Sequence, residues 1–281
     1  MISAVGDPRS AIRSPLLAIA LVAALASTAD AQTDSVRALL QVARRQASEG
    51  SAAAALDTLR KARARAPNAE DVLSAYAQMA IASRQPIVAV EVLEPLARMC
   101  PSVPQYQYML GVAYMQAGAI LASVDALRAA EALDPGNARV LAALGIALNT
   151  RKLHGEAQPV LARSIEIEPE NVEAIAALAE AEEGLGDPLA ETHAMRALAM
   201  NPAHATANYV LGVVRMRQQK YDEARDALLK AIASDQQMAR AHYQVSLAYS
   251  RLGDETQARV HVELYQQQMQ ALEDAAKKLR R

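Results

Sequence analysis

The chain has no tryptophan, no phenylalanine and one cysteine, Cys100. A single cysteine excludes an intramolecular disulfide, and leaves Cys100 as either a small half-buried hydrophobe or a reactive thiol. Aromatic residues are 3% of the chain while apolar residues are 52%, so Ala and Leu carry the core. Both favour helix, whereas strands draw on β-branched and aromatic residues; the expected class is all-α. A formal net charge of −2, from 29 basic and 31 acidic residues, provides no basic face to displace counterions, which argues against nucleic acid as a partner. Catalytic motifs are missing as well. The sequence has no G-x-S-x-G, no P-loop, no G-x-G-x-x-G and no H-E-x-x-H. Neither a cofactor nor a metal is expected, and the chain is read as a non-enzyme.

The first 31 residues differ from the rest. Arg9 and Arg13 precede an uncharged run from Pro15 to Ala26, and Ala29-Asp30-Ala31 then offers a small-x-small site before Gln32. This is the layout of a secretory signal peptide cleaved after Ala31, with 32–35 as a short linker. The run is shorter than the roughly 20 residues a spanning helix needs, and no later segment is apolar enough for a transmembrane helix. The expected location is periplasmic or secreted.

What the rest of the chain has in abundance is periodicity. Pro67, Pro101, Pro135 and Pro169 lie 34 residues apart, and Pro202 follows 33 later. Setting the proline at position 32 defines seven repeats: 36–69, 70–103, 104–137, 138–171, 172–204, 205–238 and 239–272. The fifth is one residue short, in its internal turn, and 273–281 extends the last helix as a cap. Position 8 is always small (Ala43, Ala77, Gly111, Gly145, Ala179, Gly212, Ser246), position 7 is always large, and positions 20 and 27 are mostly Ala. Such spacing puts small and large residues on one face of each of two helices, which pack closely as a hairpin. Gly50, Gly118, Gly186 and Gly253 at position 15 allow a left-handed turn; Arg84, Lys152 and Gln219 stand there in the even repeats, whose turns are expected to close differently.

Leu110-Gly111, Tyr114, Gly118, Ser123, Leu127 and Pro135 in the third repeat, with Leu211-Gly212, Tyr221, Ala224 and Tyr249, Gly253, Ala258 later, resemble the tetratricopeptide repeat pattern. The resemblance covers 36–272. The family's Trp is absent and its Phe is replaced mainly by Leu. What the resemblance implies is an α-solenoid, a right-handed superhelix of seven hairpins whose first helices line a concave groove.

In the family, ligand contacts come mainly from positions 2, 5, 9, 12 and 13. Here these are Arg37, Leu40 and Arg44, then Asp71, Ser74 and Gln78. The third repeat has Gln105, Tyr108, Val112, Met115 and Gln116, and the fourth Arg139, Ile146 and Asn149. The fifth has Glu173, Glu180 and Glu183, the sixth Tyr209, Val213, Met216 and Arg217, and the seventh Arg240, Tyr243, Leu247 and Arg251. Tyr and Arg are enriched where binding energy concentrates, and Met is adaptable. The groove therefore reads as apolar in repeats three and six to seven, with an acidic stretch between, unless the tyrosines merely cover neighbouring hairpins. Glu180, Glu182 and Glu183 read as a solvated acidic patch, Gly184 as part of a hairpin turn, and the five histidines as lone side chains, although His242 and His261 share one hairpin. The basic end of the chain, Lys277 to Arg281, suits a helix C-terminus or a membrane-seeking helix. The function expected is a scaffold that holds a protein or peptide partner in envelope or secretion assembly. The alternatives are a self-assembling scaffold, hence a homo-oligomer, or an enzyme subunit.

Overall fold

The computed structural model describes residues 33–236 and 238–279, without the side chains of 275–279. The leader expected at 1–31 and its cleavage site therefore lie outside the described residues. Among these, all regular structure is α-helix. Helix α1 covers 33–48. It is followed by α2 (Ala52–Arg65), α3 (Glu70–Ala82), α4 (Pro86–Met99), α5 (Pro104–Gln116), α6 (Ile120–Leu133) and α7 (Ala138–Thr150). Next come α8 (His154–Ile167), α9 (Val172–Leu185), α10 (Leu189–Met200), α11 (Ala205–Arg217), α12 (Tyr221–Ser234), α13 (Ala239–Leu252) and α14 (Glu255–Leu279). No helix among the described residues is long and apolar enough to cross a membrane.

The chain forms two compact units, the first ending at Arg98 and the second beginning at Met99. In the first, α2 packs on α3 around Leu56, Leu59, Leu73 and Tyr76, and Thr58 Oγ1 donates to Gln46 Oε1 of α1 at 2.8 Å. In the second, each odd-numbered helix pairs with its even successor as a hairpin, and α5, α7, α9, α11 and α13 also contact one another in order. Each inner hairpin thus buries its apolar face between its neighbours, as a repeat that cannot do so alone must.

Residue size explains the close approach within hairpins. A Cβ on Gly111, Gly145 or Gly212 would lie 2.5, 2.3 or 2.5 Å from Cγ of Leu127, Leu161 or Leu228. The leucine of the second helix fills the space that the glycine of the first leaves empty. Ser123 and Ser164 stand in the small columns, and their hydroxyls donate to the carbonyls of Gly111 and Ala138 at 2.8 and 2.9 Å, so burial leaves neither unsatisfied.

The turns overturn one expectation. Arg84, Lys152 and Gln219 have φ of 52°, 59° and 61°, beside 74–83° for Gly50, Gly118, Gly186 and Gly253. All seven hairpins close through the same left-handed residue, because the next backbone N–H must reach back to the carbonyl five positions earlier, as in Leu153 N to Leu148 O at 3.0 Å. Geometry outranks glycine preference here. Gly184 is also displaced from its expected place; it lies inside the last turn of α9, and only Gly186 forms the cap.

Candidate interaction site

Within the second unit the odd helices form a row, and the positions that the family uses for ligands fall along it. Arg37, Arg44 and Gln78 belong to the first unit. All three are exposed, Arg37 lies 3.6 Å from Asp34, and Gln78 donates to Ser74. The other candidates lie in the second unit, where their surroundings divide the row into two kinds of surface.

Around α5 and α7 the row is open. A hollow of 470 Å³ is lined by Gln105 and Tyr108 of α5, Arg139 of α7, and Asp134, Asn137 and Glu168 of the adjoining loops. The Tyr108 ring is half-buried against the core formed with Leu144 and Leu178, which also supports Met115 and Ile146. Val112 is half-buried and Gln116 exposed. Asn137 caps α7 by accepting from Val140 N, while its Nδ2 donates to Asp134; Asn171 does the same for α9 and Glu168. These paired carboxamides fix the hollow's rim. Arg139 has no ion pair among the described residues. Asn149 is not available to a ligand: it is buried, donates to Ala177 O at 2.7 Å and meets His154 Nδ1 at 3.2 Å.

From α9 to α13 the same row is closed on itself. Arg217 of α11 binds the carboxylate and the carbonyl of Glu183. Arg240 of α13 binds Glu180 of α9 and lies 4.3 Å above the Tyr209 ring of α11, a cation–π contact. Tyr209 and Val213 are core residues, and Met216 packs on them. Glu182 points inward, nine-tenths and more buried, with His193 Nδ1 at 2.7 Å. Burial pushes the Glu182 carboxyl above its ordinary range, against the pull of His193. The solvated acidic patch is therefore replaced by three carboxylates with three different partners. For Glu180 and Glu183 the reason is the inter-repeat spacing, which sets residues of α11 and α13 over α9; for Glu182 it is the packing of α10 on α9 within one hairpin. The Tyr243 ring meets Tyr265 of α14 at 5.5 Å between centroids, tilted by 46°, while Leu247 and Arg251 are exposed.

The histidines are not lone side chains either. His242 Nδ1 and His261 Nδ1 are 3.0 Å apart inside the last hairpin, with Tyr249 stacked on His261 at 5.7 Å. Burial lowers both pKa values. His204 caps α11, its Nδ1 accepting from Ala207 N at 3.3 Å. Its place at the repeat end occupied by Asn137 and Asn171 was the available signal. The pairing of Glu182 with His193 had none, because it depends on the angle between α9 and α10. No cluster of three or more His, Cys, Asp or Glu with metal-binding geometry occurs among the described residues.

Comparison with known proteins agrees with the repeat fold. The family profile described as tetratricopeptide repeat matches residues 75–138, 188–239 and 214–268. Among solved structures, a tetratricopeptide repeat protein from Parabacteroides merdae superposes with a TM-score of 0.67 at 12% identity, over 84% of this chain and 93% of its own. The hetero-tetramer Cut9-Hcn1 of APC/C contains a chain with a TM-score of 0.60 at 14% identity, over 77% of this chain and 43% of that one. MamA is 23% identical over 59% of this chain and 92% of its own, with a TM-score of 0.44. A search of curated protein sequences found no match.

Proposed function

The chain belongs to the tetratricopeptide repeat family, and on that premise we propose that it is an exported, non-enzymatic adaptor that holds a protein segment on the α5–α7 face. One observation carries the reading: the hollow at Tyr108 and Arg139 is open, with a guanidinium that has no ion pair among the described residues, while Arg217 and Arg240 further along are already engaged. A ring backed by core and a cation beside it suit an extended or helical segment bearing one carboxylate and one apolar side chain. Asp134 and Glu168 on the rim favour a donor group next to that carboxylate.

A pull-down from an envelope fraction should enrich a protein partner. Tyr108→Ala and Arg139→Ala should each weaken it by about 2 kcal/mol, roughly 30-fold, while Arg217→Ala leaves it bound. Enrichment of nothing, or retention by both variants, counts against the reading. Export rests on the layout of residues 1–31. Edman sequencing of the protein from its native host should begin at Gln32; a chain retaining Met1 in the cytosol would refute export.

A further inference from the structure

The face that each hairpin presents to its successor is left open on the last one. On the sixth hairpin, Tyr209, Val213 and Leu228 are 9%, 7% and 0% exposed, in a core shared with Ala241 and Val245 of α13. Their counterparts one repeat later, Tyr243, Leu247 and Val262, are 45%, 38% and 37% exposed. Helix α14 continues the surface. It has 25 residues, about 37 Å, against 14 residues and about 21 Å for α13, so it runs some three turns past its hairpin partner. Val262, Tyr265, Met269 and Leu272 follow one another at spacings of three, four and three, the seam of a coiled coil, and Leu272 is 59% exposed.

The geometry points to a second copy of this chain as the occupant: two molecules associate tail to tail through the α13–α14 face, with their α14 helices antiparallel. Continuity with the repeat interface is the first reason, since the columns left open here are apolar ones that lie buried in a shared core one repeat earlier. The second is the charge pattern along α14. A two-fold axis beside Gln267 sets Val262 against Leu272 of the second copy and Tyr265 against its Met269. Arg259 then falls beside Glu273 of the second copy, twice by symmetry. At the axis each residue meets its own counterpart, and there the helix reads Gln266, Gln267, Gln268, without charge to repel. Arg259 and Glu273 are exposed and form no ion pair among the described residues.

Sedimentation equilibrium of residues 32–281 across a concentration series tests this. The expected result is a reversible dimer. Leu272→Glu alters an exposed position, so circular dichroism should stay helical while dimer affinity falls at least tenfold. Arg259→Glu should weaken the dimer, and Arg259→Glu with Glu273→Arg should restore it. A monomer at every concentration, or a dimer indifferent to Leu272→Glu, overturns the proposal; a double variant no tighter than Arg259→Glu overturns the antiparallel pairing. None of these readouts involves Tyr108 or Arg139, so the adaptor reading stands or falls separately.

Discussion

Arg84, Lys152 and Gln219 hold backbone conformations that side chains with a Cβ rarely adopt, at roughly 1–2 kcal/mol each. Glycine would relieve that strain, offset in part by the greater entropy of the unfolded chain, about 0.4–1 kcal/mol. Lys152→Gly and Gln219→Gly are therefore expected to stabilise the protein by about 0.5–1 kcal/mol each, read as a higher urea midpoint with unchanged slope. A lower midpoint for both would show that their side chains contribute something the turn geometry does not require. The glycine columns at position 8 are a different case. They were legible in the sequence as small residues, but that Leu127, Leu161 and Leu228 rest on them is a fact about two helices brought together.

Helix termini link single residues to whole elements. The caps of α7 and α9 are asparagines, whereas α11 is capped by His204. An imidazole nitrogen accepts a hydrogen bond only through its lone pair, so the cap needs Nδ1 unprotonated. Burial holds the His204 pKa below its ordinary value, more than the nearby Glu173 raises it. As pH falls through about 6.5 the unfolded chain takes up this proton before the folded chain does, and stability declines by up to about 1.4 kcal/mol per pH unit until the folded pKa is reached. His242 and His261 act with the same sign, burial being the main cause for each. His204→Asn keeps a capping oxygen and removes the titration. Its thermal stability is expected to fall less steeply between pH 7 and 5 than that of the wild type; an identical slope would place the acid sensitivity elsewhere.

At the scale of the stacked unit, stability is a sum of hairpins and the interfaces between them. Inner hairpins such as α7–α8 and α9–α10 are covered on both sides, and Leu141, Leu148, Leu161 and Ile175 are fully buried there. The α13–α14 hairpin has one covered side. Native-state hydrogen exchange of the monomer, read on the Leu272→Glu variant, should therefore show α13 and α14 opening at lower free energy than α7 and α9; equal protection in all four would contradict a nearest-neighbour stack. The amino-acid sequence by itself determined the class of fold: a period of 34 with fixed small and large columns can bury its apolar surface only as paired helices stacked on one another, whatever the missing Trp and Phe. It also marked the odd helices as the face on which Tyr and Arg collect. Which of those residues remain free was decided by the tertiary structure alone. Glu180, Glu182 and Glu183 are neighbours in sequence, yet they meet Arg240, His193 and Arg217, because charge pairing between helices, within a repeat or across repeats, depends on the distance and angle from one helix to the next, and these are set by packing, which no count along the chain contains.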